Sequence, residues 1–246
     1  MTEMPSLNVR LYGTEEGPTP LRTLRAGALS AVLDAGNLRT IALGGVEAIR
    51  GIAFLVRDPN WGTYIPEITD LKVEEDSERF RVTYVARCAD AEQALSYCAE
   101  IEGRADGALA FHVAATPETA FGTNRAGFVV LHGVAGIAGA PVTVQHTDGT
   151  VEESAFPELI KPSQPFFDIH TLTHTVSPGL KVTRTMEGDA FEMEDQRNWT
   201  DASFRTTSDR SRSRTPIRSP SRKRSSSGSH SPWTARCRRR RTTRRR

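Results

Sequence analysis

Residues 70–88 read DLKVEEDSERFRVTYVARC, and residues 95–115 read LSYCAEIEGRADGALAFHVAA. In the first stretch an acidic turn separates two β-rich runs, and Phe80, Val82, Tyr84 and Ala86 fall on every second position of the later run. Alternation with a period of two gives a strand one apolar face and one wet face. The second stretch repeats the plan around Asp106-Gly107, a dipeptide suited to the positive φ angles of a tight hairpin turn. The two stretches predict successive antiparallel hairpins.

The same signals continue in both directions. SLNVRLY (6–12), ALSAVLD (28–34), NLRTIAL (37–43) and VEAIRGIAFLV (46–56) are short Val/Ile/Leu-rich runs separated by glycine-containing turns. Further strands are expected at GFVVLH, PVTVQHTDGTVEE, FFDIHTLTHTV and LKVTRTMEGDAFEMED, and no helical stripe of ten residues or more stands out. Many strands joined by tight turns predict an all-β fold, an antiparallel β-sandwich.

The formal net charge of +2 over 246 residues averages two unlike segments. Residues 207–246 contain 15 of the 32 Lys and Arg but only one acid, Asp209, and so carry about +14. The body, 1–206, is correspondingly acidic, which argues against nucleic acid or an anionic membrane as its partner. Two units follow: a sandwich over 1–206 and a disordered Arg/Ser-rich tail over 207–246, which lacks the apolar residues to form a core. No run reaches the ~18 apolar residues of a membrane span, and MTEMPSLNVR has no leader pattern, so a cytoplasmic protein without a membrane partner is expected. Cys88, Cys98 and Cys237 form no CxxC pair and fit reduced thiols, the first two as small buried apolar residues.

Most candidate site residues read as structural. His170 and His174 have i,i+4 spacing, but their threonine-rich surroundings favour a strand, in which four residues span about 13 Å, too far to share one ion. His146 belongs to the Asp148-Gly149 turn, and His112 and His132 lie on apolar strands. No metal site, no cofactor and no recognised catalytic motif is expected. MEGDAFEMEDQRNWTDASF (186–204) is different: Glu194, Asp195, Arg197, Asn198 and Trp199 stand within six positions, near Glu187, Asp189, Glu192 and Asp201. Carboxylates accept hydrogen bonds from sugar hydroxyls and an indole packs on sugar C–H groups, so these residues are substrate-binding candidates. The alternative is an acidic strand end in which Arg197 pairs with a neighbour and Trp199 plugs the core. Trp61 and Tyr64, in RDPNWGTYIPEI, pose the same choice between core and rim.

GNLRTIALGGVEAIRGIAFLVRDPNWGTY, TNRAGFVVLH, VQHTDGT and FEMEDQRNWTDASF resemble, in order, the N-terminal region of bacterial D-apionate lactonases, from about Leu24 to Arg205. The resemblance implies a cytoplasmic enzyme of branched-sugar catabolism that hydrolyses the lactone of apionic acid. It also implies a β-sandwich followed by a TIM barrel that carries the principal catalytic residues. On this reading the chain stops before the barrel and is inactive alone. Its partners are a sugar lactone and the missing barrel of the parent protein.

The resemblance also implies that TDASF continues into an apolar, proline-containing segment similar to YVRPLALP. Here Arg and Ser follow instead. Read one base out of phase, serine codons of the TC type become apolar residues, while proline codons and CG-type arginine codons become small ones. With GC-rich codon choices, residues 207–235 return YVRPLALPYPYPLAEPEAVEQRVTLTVDG. A one-base deletion near the codon of Thr207 is therefore expected. The alternative function is a basic-tailed protein that binds RNA or other polyanions through phosphate contacts; non-specific polyanion binding by the tail is expected on either reading.

Overall fold

The computed structural model describes residues 4–17 and 20–208. The Arg/Ser-rich stretch from 209 onward, with the expectations of disorder and polyanion binding that fall on it, lies outside the described residues. A short helix α1, Leu7–Tyr12, is followed by strands β1 Arg22–Ala26, β2 Leu29–Asp34, β3 Asn37–Leu43, β4 Val46–Arg57, β5 Glu67–Glu75, β6 Arg79–Ala89, β7 Ala94–Arg104 and β8 Leu109–Pro117. The second half contributes β9 Arg125–Gly133, β10 Pro141–His146, β11 Val151–Ala155, β12 Ile169–Ser177, β13 Leu180–Thr185, β14 Phe191–Asp195 and β15 Ser203–Ser208. The all-β antiparallel sandwich expected from the sequence is the observed fold.

SLNVRLY, expected from the sequence as a strand, forms a helix instead, because its ends are capped locally. Ser6 Oγ accepts from the Val9 N–H at 3.2 Å, and Gly13 takes a left-handed φ of 75° while donating to the Val9 carbonyl. No residue of this helix is buried, so no sheet partner competes for it.

Among the described residues the strands form two sheets. The larger has eleven strands in the order β1-β2-β3-β4-β9-β15-β14-β12-β10-β11, with β13 paired to β12. The smaller is the meander β5-β6-β7-β8, inserted in the chain between neighbours β4 and β9. Asp106-Gly107 closes the β7–β8 hairpin as predicted: Gly107 has φ 89° and Asp106 Oδ1 accepts from the Ala108 N–H at 2.9 Å. Asp148-Gly149 turns β10 into β11.

The first core lies between the sheets. Leu24, Leu38 and Val56 of the large sheet meet Phe80, Val82, Leu95 and Ile101 of the small one, all essentially inaccessible to water. Burying each such side chain contributes about 1.5–3 kcal/mol. Phe80 lies over Gly103, its partner on β7, and a Cβ there would come within 2.2 Å of the ring. A second core collects Phe156, Phe166, Ile169, Leu172, Phe191, Met193 and Phe204 around β10, β12, β14 and β15. Phe128 packs on that core and also meets Phe54 and Phe111 edge-on, at 5.4 and 5.2 Å.

The last strand is central. β15 pairs with β9 on one side and β14 on the other, and its ladder includes Thr207 and Ser208. It thereby joins the halves of the large sheet that hold the two cores.

Candidate functional site

MEGDAFEMEDQRNWTDASF folds as β14, a 3-10 turn over Gln196–Trp199, and β15. Asp195 caps the turn, its Oδ1 accepting from the Arg197 N–H at 3.1 Å, and Thr200 ends it with a left-handed φ of 64°. The side chain of Asp195 is fully shielded from solvent. Its Oδ2 takes the Lys161 N–H at 2.9 Å and Arg197 Nη2 at 2.7 Å, while Arg197 Nε donates to Oδ1 at 2.9 Å. Burial by itself raises the Asp195 carboxyl, and it is the largest influence. The hydrogen bonds from Arg197 and from the two backbone N–H groups, with the guanidinium charge, together outweigh it and hold the group below its ordinary range. The carboxylate in turn raises Arg197 through their hydrogen bonds.

Arg197 holds more than this partner. Nη1 donates to the Glu158 carbonyl at 2.8 Å, and Nη2 to the Pro157 and Leu159 carbonyls at 2.9 and 3.1 Å. Its guanidinium carbon stands 5.0 Å from the Phe204 ring centre. Asn198 Nδ2 donates to the Lys161 carbonyl at 2.7 Å and the Asp195 carbonyl at 3.0 Å. Asp195, Arg197 and Asn198 thus clamp the 157–161 segment onto the end of β14. Beside this clamp three large apolar side chains face solvent: Trp199 is 75% exposed, Leu159 83% and Ile160 55%. The pairing of Arg197 with a neighbour matches one sequence reading; the core plug expected of Trp199 in that same reading does not occur.

Glu194 points the other way. Glu192 and Glu194 alternate with the core residues Phe191 and Met193, so they project from the opposite face of the sheet. There Arg125 Nη2 lies 3.7 Å from Glu192 and 3.8 Å from Glu194. Arg205 pairs with the second Glu194 oxygen, which also accepts from Gln196 Nε2 at 3.0 Å. Arg125 and Glu192 are almost wholly buried, at 3% and 6% side-chain exposure. Arg125 and Arg205 were not singled out from the sequence. Neither is near Glu192 in the chain except through the β9-β15-β14 order, which no local pattern announces.

The remaining candidates disperse. His170 Nδ1 bonds the Met186 carbonyl at 3.0 Å, and His146 contacts the Phe167 carbonyl and Glu152. His132 and His174 are buried and both approach Arg184, with His132 Nε2 also 2.9 Å from Thr206 Oγ1. Burial, then the nearby Arg184 charge, hold both imidazoles well down, His174 to about 4, and burial lowers Arg184 to about 9. Trp61 is half-exposed under Arg57, at 5.5 Å, while Tyr64 packs on the first core and on Phe121. Cys88 is buried, and burial pushes its thiol up to about 11. Among the described residues no group of three or more His, Cys, Asp or Glu is arranged to hold a metal ion, and no helix is long and apolar enough to cross a membrane.

The sequence of this clamp and of the strands that carry it matches the family described as "D-apionate lactonase, N-terminal domain" over residues 9–227. The chain belongs to that family. The match runs past Ser208 into the start of the Arg/Ser-rich stretch. The D-apionate lactonase of Brucella anthropi is 49% identical over 197 residues, which cover 80% of this chain and 32% of that protein. The chain therefore spans about a third of the length of this D-apionate lactonase relative. The resemblance stated from GNLRTIALGG through FEMEDQRNWTDASF is to this same family.

Proposed function

We propose that this chain serves as the N-terminal β-sandwich of a cytoplasmic D-apionate lactonase-type hydrolase, which opens apionolactone to apionate. On this reading it lacks the TIM barrel that supplies the principal catalytic residues, and it does not turn over substrate alone. Lactone hydrolysis requires water delivered to an ester carbonyl by a base or a metal, and donors for the developing oxyanion. The sandwich contributes a wall of the substrate cleft. The supporting observation is the clamp that displays Trp199 while burying its own polar groups. The exposed indole packs on sugar C–H groups and Asp195, Arg197 and Asn198 hold it in place, while Glu194, ion-paired with Arg125 and Arg205 on the opposite face of the sheet, fixes β14 against β9 and β15. The tail is a separate, frameshift-derived segment on this reading, but the boundary expected at 206/207 moves to the end of β15, because Thr207 and Ser208 are buried and paired in that strand.

The test is a chimera in which residues 1–208 replace the matched region of the Brucella anthropi protein, assayed for lactone opening. Trp199→Ala in the chimera is expected to raise KM severalfold with unfolding unchanged. Unaltered kcat and KM would assign Trp199 no part in the cleft. Turnover above background by the purified 246-residue chain would show that the sandwich holds a complete site.

A further inference from the structure

Sheet edges carry unpaired backbone donors and acceptors, and natural proteins guard them with charge, bulges or short strands. Among the described residues, four of the five edge strands follow that rule. β1 is short and carries Arg22 and Arg25; β11 is short and carries Glu152 and Glu153; β13 carries Lys181 and Arg184. β5, one edge of the small sheet, contains Glu67, Asp70, Lys72, Glu74 and Glu75, and its ladder is broken by a bulge between Thr69 and Lys72. The other edge of the small sheet differs. β8, LAFHVAATP, runs nine residues without an acidic residue, Lys or Arg, and pairs with β7 in unbroken register from Leu109 to Pro117.

Among the described residues no strand pairs with its outer edge, which can be specified by residue. Ala108, just before the strand, accepts from the Arg104 N–H at 2.9 Å, and Glu118, just after it, donates to the Ala94 carbonyl at 2.8 Å. In an antiparallel ladder the backbone groups of alternate residues point to the same side. The even-numbered residues therefore bond β7, and the N–H and C=O groups of Leu109, Phe111, Val113 and Ala115 aim outward from the sheet edge. His112, Ala114, Ala115 and Thr116 are exposed.

We propose that this edge pairs antiparallel with the β8 edge of a second copy of the chain, about a twofold axis through Val113. The two four-stranded sheets then become one continuous sheet. The strand's own sequence selects a second copy as occupant. Centred on Val113, the register places Phe111 opposite Ala115, His112 opposite Ala114, Ala110 opposite Thr116 and Leu109 opposite Pro117. Each bulky residue meets a small or flat one, and no like charges face each other. Ala115 belongs to the inward-facing row of β8 but is exposed, and the partner's half-buried Phe111 would cover it. All but one of the residues facing the edge keep their N–H, the exception being Pro117 at the strand end, so about eight backbone hydrogen bonds form across the axis.

Sedimentation velocity on the full chain, over about two decades in concentration, tests this. A dimer that dissociates on dilution and persists in high salt is expected, because the edge carries no charge to screen. Ala115→Pro removes one edge-facing N–H without touching the β7 ladder, and is expected to yield monomer with an unchanged circular-dichroism spectrum. Should that variant unfold, His112→Lys/Ala114→Lys gives the same reading by setting like charges opposite each other on both sides of the axis. In a Cys98→Ser/Cys237→Ser background, which leaves only the buried Cys88, Val113→Cys is expected to form a disulfide between copies under mild oxidant, since paired Cα atoms across the axis fall within disulfide range, whereas Ala110→Cys is not. A monomer at all concentrations, a dimer dissolved by salt or retained by Ala115→Pro, or equal cross-linking of the two cysteine variants would each overturn the proposal.

Discussion

Removing the Arg197 side chain is the sharpest test of the clamp. Arg197→Ala deletes two hydrogen bonds to Asp195, three to the carbonyls of Pro157, Glu158 and Leu159, and the contact with Phe204. It leaves a carboxylate that is shielded in the parent with only the N–H groups of Lys161 and residue 197 as protein partners. Breaking a buried ion pair from one side costs about 3–5 kcal/mol, and a domain of this size has about 5–15 kcal/mol in all. At roughly 2–4 °C per kcal/mol, Tm should fall by about 6–20 °C. Urea unfolding at pH 7 measures the loss. Arg197→Lys should recover only part of it, since an ammonium cannot span the same set of acceptors. Asp195→Ala/Arg197→Ala should lose clearly less than the sum of the single variants, because no orphaned charge remains. An Arg197→Ala midpoint within about 0.5 kcal/mol of the parent would refute the reasoning, since water would then serve Asp195 as well as Arg197 does.

Other outcomes follow from the same structure. His132 and His174 are held neutral, with folded pKa values below the unfolded 6.5, so their contribution is present above that pH and is lost as pH falls from 6.5 toward about 4. Stability in that window should drop by as much as about 1.4 kcal/mol per pH unit for each imidazole, and His174→Gln should flatten the slope in pH-dependent urea titrations. Gly103→Ala should destabilise by at least about 1–3 kcal/mol, because its methyl would meet the fully buried Phe80 ring, and adding Phe80→Leu should return part of the loss in thermal melts. Sequencing the coding DNA across Thr207 should show a frame that becomes apolar and proline-containing when shifted by one base; an undisturbed Arg/Ser frame in independent isolates would remove that reading.

The elements were legible wherever the determining forces were local. NLRTIAL is β3 from end to end, and the Asp106-Gly107 and Asp148-Gly149 turns stand where their dipeptides place them, because positive φ is a requirement of one residue. SLNVRLY was misjudged by its apolar content; the capping by Ser6 and Gly13 decides that segment, and it presents no face to a core. Residues 194–199 stood out for the density of their chemistry. Their division of labour did not, since it depends on which side chains the 157–161 segment reaches.

The sequence by itself determined an all-β chain of antiparallel hairpins, an acidic body distinct from a basic end, and membership in a lactonase-related family. Tertiary structure alone decided that β15 lies between β9 and β14, that Arg125 joins Glu192 and Glu194, and that Asp195 and Arg197 face inward while Trp199 faces out. Period and turn chemistry act over two to four residues and are written into neighbouring positions. Strand order and burial join residues dozens of positions apart, and only the closed sheet brings those groups together.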